Sequence, residues 1–248
     1  MPQLRSELLK QRTTRTTLTV MLWMFGLILL IVLLHAFGLS ASTLRIARNQ
    51  SKVYGWGTSI GALFAALLGA LSVTGEVRTG TIRPTLLVTP NRTRVIVAKL
   101  GAAALAGLLV GVVAEALVSA IASAGLAARG IHIALGAGDF AQMIAGGAAA
   151  AALWAAIGTG IGAIVRNQVG AVVGLCVWLL LVESILIGVV PNAAKFTPGA
   201  SAGALAGMIQ NAGSSSLLAP AVGALLLILY ATLAAGAGVL ATERRDVA

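Results

Sequence analysis

The chain carries very little charge for its length. Of its 248 residues, 10% are Asp, Glu, Lys or Arg, whereas 58% are hydrophobic. Soluble domains carry about 25% charged residues, so this chain cannot cover a globular surface with water-binding groups. Apolar runs of about 20 residues recur along it, the length that a helix needs to cross roughly 30 Å of hydrocarbon. The composition predicts a polytopic all-α membrane protein and argues against a β-barrel, whose strands are short and alternating.

Residue patterns typical of catalysis are also missing. No G-x-x-x-x-G-K-[ST] segment occurs, so the chain has no P-loop for ATP phosphates. No H-E-x-x-H occurs, and His35 and His132 are isolated, which leaves metal catalysis unsupported. "GAGD" (136–139) matches the Gly-x-Gly-Asp of intramembrane aspartyl proteases, but the only other aspartate is Asp246 in the terminal tail, so the required carboxylate pair cannot form. We interpret Asp139 as a helix N-cap and expect no enzyme activity, metal or cofactor on this chain.

The hydrophobic pattern predicts a single transmembrane domain with six spans. The first resembles a signal peptide, but its uncharged stretch exceeds the roughly 7–15 residues of such a segment and no clear cleavage site follows. The third is too long for a crossing alone, so we expect its first turn to stand in the cytoplasm, with Lys99 snorkelling to the interface. The predicted spans are 18–39, 54–74, 95–126, 139–165, 169–190 and 217–241.

The distribution of basic residues predicts that both termini are cytoplasmic. With the N-terminus inside, twelve Lys and Arg residues lie on the cytoplasmic side and five outside, in agreement with the positive-inside rule. The cluster Arg45, Arg48 and Lys52 in the first outer loop is the exception. The net charge of +10 then anchors the chain to anionic lipid of the inner leaflet. No basic–aromatic interleaving indicates nucleic acid, and we expect a multi-pass protein of the plasma membrane.

The first 17 residues predict an interfacial helix. Leu4, Leu8 and Leu9 fall on one side at helical spacing, with basic residues elsewhere. The alternative is a solvated basic tail. Further along, Gly158 and Gly162 in "GTGIGA" show the small-x-x-x-small spacing that lets membrane helices pack closely. The lone Cys176 is interpreted as a small packed hydrophobe.

A charged segment, 75–94, interrupts the apolar pattern between the second and third spans. Gly80 suits a left-handed helix end, Thr81 an N-cap, and Pro84 the first turn of a helix. These signals predict a short helix over 82–88 whose apolar face is formed by Ile82, Leu86 and Leu87. From the residues alone, this helix is either a knob that presses against a partner or a loop whose leucines dip into the membrane.

The same segment resembles the membrane subunits of ABC-2 type ABC transporters. In that family a glutamate, a Gly-Thr pair, an apolar run with Thr-Pro and basic residues, and a lysine follow the second span. The counterparts here are Glu76, Gly80-Thr81, 86–90, Arg92 or Arg94, and Lys99. "LLLVESILIGVVPNAAKFTPGASAGAL" similarly resembles the fifth span with its glutamate, Glu183, and a proline-containing outer segment. With the six-span topology, the resemblance covers nearly the whole chain, and the basic cluster in the first outer loop is the departure.

The resemblance implies a permease subunit for a hydrophobic or amphiphilic substrate, with export as the expected direction. The segment 75–94 would contain a coupling helix that docks on a separate ATP-binding subunit, and ATP and Mg²⁺ would bind to that subunit. A second copy of the chain, or a paralogous permease, would complete the pathway. The residues expected to contact the ATPase are Glu76, Arg78, Gly80, Thr81, Ile82, Arg83, Pro84, Leu86, Leu87 and Arg92.

Two intramembrane acids, Glu115 and Glu183, need separate explanation. A charge at mid-helix costs about 2.5–3.5 kcal/mol on insertion scales, so each needs a protein or water partner. Both are predicted at similar depth in the outer half, where they either line the pathway or make structural hydrogen bonds. If they carry protons, the chain is instead a proton-coupled secondary transporter; a membrane anchor for a signalling partner is a third possibility.

The outer segment 191–216 is too interrupted by Gly, Pro and Ser to span the membrane. Within it, 203–212 could form a helix of only about ten residues, which is too short for a crossing. We interpret the segment as re-entrant or interfacial, at the outer end of the pathway.

Overall fold

A computed structural model describes residues 2–81, 92–208 and 217–244 of the chain. Within these ranges all regular structure is helical, and six helices are long and apolar enough to cross a membrane. The predicted all-α class and the number of apolar helices are confirmed. The helices are α1 (Pro2–Thr13), α2 (Arg15–Gly38), α3 (Ala41–Leu44), α4 (Ala47–Tyr54), α5 (Trp56–Thr79), α6 (Arg92–Ala128), α7 (Ala137–Val165), α8 (Gln168–Cys176), a π-helix (Val177–Val182), α9 (Glu183–Val189), α10 (Pro191–Ala194), α11 (Pro198–Leu205) and α12 (Pro220–Glu243).

The six membrane-length helices agree with the predicted spans apart from a few residues at their ends. They are α2, α5 with α4 leading into it, α6, α7, the continuous helix from α8 through α9, and α12. Helix α6 has 37 residues, a rise of about 55 Å at 1.5 Å per residue. It is therefore longer than the hydrocarbon core, as its sequence predicts.

Helices α5 and α7 form the centre of the bundle. Of the apolar stretch of each, 61% is buried, against 11% for the helix from α8 to α9. Small residues permit this contact: a β-carbon on Gly162 would lie 2.7 Å from the carbonyl oxygen of Ala70, and one on Gly158 would collide with the backbone of Ala66. The predicted role of Gly158 and Gly162 in close helix packing is confirmed.

The short helix α11 lies deeper in the bundle than its sequence suggests. Thr197 is its N-cap, accepting the N–H of Ala200, and Pro198 occupies the first turn. Most of its residues are buried, and the backbone of its C-terminal end meets Gly146 of α7. The helix predicted at 203–212 is wrong in its bounds, because α11 ends at Leu205 and a turn with Gly207 at φ 69° follows. Residues 209–216 lie outside the described ranges, and the re-entrant position stays a prediction.

The two ends of the bundle are distinct. We call the N-terminal face the end at which α1, the last turn of α5 and the first turn of α6 meet. The end of α12 lies there too, because the Thr93 hydroxyl donates a hydrogen bond to the carboxylate of Glu243. The end of α5 and the start of α6, which flank residues 82–91 in the chain, therefore both lie at this face.

At the end of the bundle opposite the N-terminal face, Gln50 links the segment before α5 to the segment before α7. Its side chain is fully buried and donates to the carbonyl oxygens of Leu44 and His132, each at 2.8 Å. Its own amide oxygen accepts the N–H of Ala134 at 2.8 Å. The connection before α5 is therefore locked to the one before α7.

The start of α7 differs slightly from the prediction. The N-cap is Gly136, and Asp139 lies three residues later, where its carboxylate accepts the Gly136 N–H at 2.8 Å. Asp139 is therefore not the N-cap itself. Its carboxylate provides one half of a capping box, in which the third helical residue accepts the backbone N–H of the N-cap residue. The N–H of Gly136 is thereby paired.

Candidate functional site

Four charged residues form a closed ion-pair network at the N-terminal face. The ammonium of Lys99 lies 2.8 Å from carboxylate oxygens of both Glu7 and Glu76. The ammonium of Lys10 lies at the same distance from the same two residues. Lys99 also donates to the carbonyl oxygen of Ser72 at 3.2 Å. Opposite charges thus alternate around a ring that joins α1, α5 and α6.

Helix α1 reaches this network because it packs directly on α6. A β-carbon on Gly101 would lie 3.3 Å from Cδ1 of Leu4, so the glycine admits the leucine. Glu7, one turn along α1, is buried on the same side, whereas Leu9 is 65% exposed. The predicted helix is present, but Leu9 does not share its buried face. Its interfacial position stays a prediction.

The burial of Lys99 corrects the prediction that it snorkels to the interface. Its side chain is 1% exposed, and two carboxylates neutralise it inside the bundle. A buried cation needs such partners, since leaving it unpaired would cost several kcal/mol. The sequence marks the position of this lysine but not the acid of α1 that pairs with it.

The network shifts the titration of both of its α1 members. Burial raises the pKa of Glu7, but the ammonium groups of Lys99 and Lys10 offset it and leave the pKa below the ordinary 4.5. Burial lowers the pKa of Lys10, but its bonds to Glu7 and Glu76 leave it above the ordinary 10.5. Both shifts favour the charged forms.

The predicted partner-binding residues divide into described and undescribed ones. Gly80 ends α5 at φ 71°, which confirms the predicted left-handed turn. Arg78 is exposed, and the Thr81 hydroxyl lies 2.9 Å from that of Thr79. Among the members of this group whose exposure the structure describes, Glu76 is the least exposed. Ile82, Arg83, Pro84, Leu86 and Leu87, with the predicted helix over 82–88, lie outside the described residues, and Arg92 is described only as the first residue of α6.

A cavity of about 540 Å³ lies beside the network. Its polar wall includes Glu7, Lys10 and Glu76, and its apolar wall includes Leu68 and Leu71. Thr16 of α2, Ala106 of α6 and Gln168 of α8 also line it, so the cavity is bounded by the first, second, third and fifth spans as well as by α1.

Glu115 is held in a tight pocket of small residues within the bundle. It is 1% exposed, and the Thr58 hydroxyl donates to its Oε1 at 2.6 Å. Gly57 and Gly147 lie against its carboxyl group, so closely that a β-carbon on either would collide with it. No ion pair involves Glu115 among the described residues.

Glu183 ties the fifth span to α11. Its Oε1 accepts the indole N–H of Trp178 at 2.8 Å and the backbone N–H of Gly199 at 2.9 Å. In an α-helix, residues five apart lie on different sides. In the π-helix 177–182, however, the backbone N–H of Glu183 donates to the carbonyl oxygen of Trp178. This wider turn brings the Trp178 side chain next to that of Glu183. The carboxyl therefore meets the exposed N–H groups at the start of α11, where negative charge is favoured.

Glu7, Lys10 and Gln50 are the residues that sequence reasoning missed. Glu7 is the only acid in an otherwise basic N-terminal stretch, and that exception was the available signal. Nothing local distinguishes Gln50, because two of its three partners, the backbone groups of His132 and Ala134, are 82 and 84 positions away. Comparison of the chain with protein-family models and with curated proteins gives no match.

Proposed function

We propose that the chain is the membrane-spanning subunit of an ATP-driven transporter of the ABC-2 type, exporting a hydrophobic or amphiphilic molecule. A separate ATP-binding subunit docks on the segment 75–94 at the N-terminal face, which is then cytoplasmic. The observation that carries the proposal is the placement of Glu76 and Lys99. They bracket the family-like segment on its two sides and pair with each other at 2.8 Å.

This arrangement suits the transmission of force. The segment between Gly80 and Arg92 begins at the end of α5 and ends at the start of α6. The network joins both helices to α1, so a displacement of the segment moves three helices together. Separating a buried ion pair leaves charges uncompensated, which resists independent motion of these ends. ATP-driven closure of the partner subunits would thereby shift the bundle between two states.

A second copy, or a paralogous permease, completes the pathway in this proposal. The helix from α8 to α9 and helix α2 are the least buried of the six together with α12. Their outward side chains are large and apolar, including Trp23, Leu180 and Leu181. These surfaces meet lipid or the second permease.

Co-purification tests the proposal. Burying a leucine side chain contributes roughly 1.5–3 kcal/mol, whereas an exposed ion pair contributes about 0–1 kcal/mol. The double variant Leu86→Ser, Leu87→Ser should therefore fail to co-purify with a partner ATPase. The ATPase is identified by mass spectrometry through its G-x-x-x-x-G-K-[ST] segment. Arg83→Ala should weaken its binding only slightly. The matched control is Leu225→Ser, Leu229→Ser, two outward leucines of α12, which should keep it. Full retention by the first variant would overturn the docking assignment.

The alternative is a proton-coupled carrier that uses Glu115 and Glu183. It is favoured by one observation: both acids are buried, and neither forms an ion pair within the described ranges. Transport in sealed vesicles separates the two functions. The ATP-driven transporter works without a proton gradient and tolerates Glu115→Gln, whereas the carrier needs the gradient and loses transport in that variant.

A further inference from the structure

Three basic residues form an exposed patch at the end of the bundle opposite the N-terminal face. Arg45 directly follows α3, and Arg48 and Lys52 lie four positions apart on α4, so their side chains share one side of that helix. All three residues are exposed, and none takes part in an ion pair of the described part of the chain. We call these three residues the α4 basic patch.

The other side of α4 packs into the bundle, which fixes where the patch faces. The buried residues of α4 are Gln50, Ser51, Val53 and Tyr54. The Gln50 amide donates to the carbonyl oxygen of Leu44, directly before Arg45, at 2.8 Å. The Asn49 amide donates to the carbonyl oxygen of Thr43 at 2.9 Å. These bonds hold the segment that precedes Arg45 against α4, so the patch is preorganised.

The chain offers the patch almost no compensating charge. The connections at this end of the bundle, residues 39–55, 129–139 and 190–219, contain five basic residues and one acid, Asp139. The carboxylate of Asp139 already accepts the N–H of Gly136. Like charges four positions apart on a helix repel each other. The arrangement of Arg48 and Lys52 is therefore unfavourable unless an anion from outside the chain neutralises it.

The surroundings of the patch are those of a membrane interface. Phe37, in the last turn of α2, is 55% exposed, and Ile46, directly after Arg45, is exposed to the same extent. Large exposed apolar side chains beside exposed cations are typical of segments that lie at the boundary between headgroups and acyl chains. The anions available at this depth are the phosphate groups of lipids.

We propose that the α4 basic patch binds the headgroup of an anionic phospholipid in the leaflet at this end of the bundle. The planar guanidinium groups of Arg45 and Arg48 suit bidentate contact with phosphate oxygens, and Lys52 adds a point charge. A zwitterionic headgroup carries its own cation and neutralises the patch less well. Binding does not depend on the proposed function; only the assignment of this leaflet as the outer one rests on the predicted orientation.

Photo-crosslinking tests the lipid chemistry. The full chain is placed in zwitterionic nanodiscs that contain a trace of phosphatidylglycerol or of phosphatidylcholine, with the same acyl chains and a diazirine close to the headgroup. Mass spectrometry then counts the crosslinks within residues 39–56. We expect about tenfold or more crosslinks from phosphatidylglycerol, because the attraction of several basic side chains to an anionic headgroup adds up. Equal yields from the two lipids would overturn the proposal.

Matched variants locate the site. The double change Arg48→Gln, Lys52→Gln should lower the phosphatidylglycerol crosslinks within 39–56 by about tenfold and leave those of phosphatidylcholine unchanged. The control Arg12→Gln, Arg15→Gln removes the same charge from two exposed positions near the N-terminus and should leave the yield within 39–56 unaltered. Equal yields in the two variants would show that the patch does not select the lipid and would overturn the assignment.

A soluble anion distinguishes a lipid from free phosphate. Glycerol phosphate carries the phosphate group of phosphatidylglycerol without the acyl chains. In large excess, and compared with chloride at the same ionic strength, it should leave the crosslinks within 39–56 unchanged. If it abolishes them where chloride does not, the patch selects a soluble phosphate and the lipid assignment is wrong.

Thermal stability separates a lipid site from a structural role. Without anionic lipid, in a non-ionic detergent, Arg48→Gln, Lys52→Gln should leave the midpoint unchanged or raise it, because the change removes a repulsion. Added phosphatidylglycerol should raise the midpoint of the unaltered chain more than that of the variant. A lowered midpoint of the lipid-free variant would show that these side chains support the fold and would overturn the proposal. None of these measurements involves the ATPase, so the proposed function can fail without affecting this site.

Discussion

The ammonium nitrogen of Lys99 lies 2.8 Å from a carboxylate oxygen of Glu7, a residue 92 positions earlier in the chain. This pair fastens the helix that precedes the first span to the start of the third. Glu7 is 7% exposed and helix α1 packs along α6, so the alternative of a solvated basic tail is wrong. The N-terminal helix is an integral part of the bundle.

Lys99→Met should destabilise the chain far more than Lys10→Met. Lys99 is 1% exposed, whereas the side chain of Lys10 is 43% exposed. Removing one partner of a buried pair costs roughly 3–5 kcal/mol, and removing an exposed one about 0–1 kcal/mol. Thermal midpoints in one detergent at one scan rate would measure this. Equal midpoints for the two variants would contradict a structural role for the buried lysine.

Stability should depend on pH at both ends of the scale. The pKa of Glu7 lies below its ordinary 4.5 in the folded chain, so its contribution is present above pH 4.5 and is lost as the pH falls through the folded value. The pKa of Lys10 lies above 10.5, so its contribution is present below pH 10.5 and is lost as the pH rises through the folded value. Glu7→Gln should flatten the acid limb of a stability–pH curve; an unchanged acid limb would exclude Glu7 as its source.

Glu183→Gln should be tolerated, whereas Glu183→Ala should not. A glutamine keeps an oxygen that can accept from Trp178 and Gly199. Alanine leaves both N–H groups without their acceptor, at a cost of about 1–3 kcal/mol. Yield and thermal midpoint of the purified variants measure the difference. If alanine matches the unaltered chain in both, the tie between the fifth span and α11 contributes nothing.

Gly158→Ala should destabilise the bundle, because the new methyl group would collide with the backbone of Ala66. Overpacking of this kind costs roughly 1–3 kcal/mol. Gly236→Ala is the matched control on α12, where a β-carbon meets nothing within 4 Å. It should be neutral or slightly stabilising, since alanine is the better helix former by about 0.5–1 kcal/mol. Equal thermal midpoints in the two variants would show that α5 and α7 separate easily.

The number and type of the long helices are largely predictable, because the length of an apolar run can be read from consecutive residues. Six apolar runs give six helices, and Gly80, Gly158 and Gly162 act as their spacing indicates. The bounds of α11 differ from the predicted 203–212, because the helix begins at Thr197-Pro198, a local N-terminal signal that the prediction does not use.

The candidate site is less predictable because it depends on pairing between distant residues. The family resemblance draws attention to Glu76 and Lys99. It implies that Glu76 contacts a partner subunit, and the length of the third span predicts that Lys99 reaches the membrane interface. Their mutual contact, and the closure of the ring by Glu7 and Lys10, follows only once α1 is placed against α6.

The contact of Ala66 with Gly158 and of Ala70 with Gly162 fixes the register of two parallel helices. A slide of one turn, about 5.4 Å, would bring Ala66 opposite Trp154 in one direction and Ala70 opposite Arg166 in the other. The side chains of Trp154 and Arg166 are too large for these contacts, where α7 now has glycine. Helices α5 and α7 are therefore expected to move as one rigid unit, about which the less buried α2, α12 and the helix from α8 to α9 are arranged.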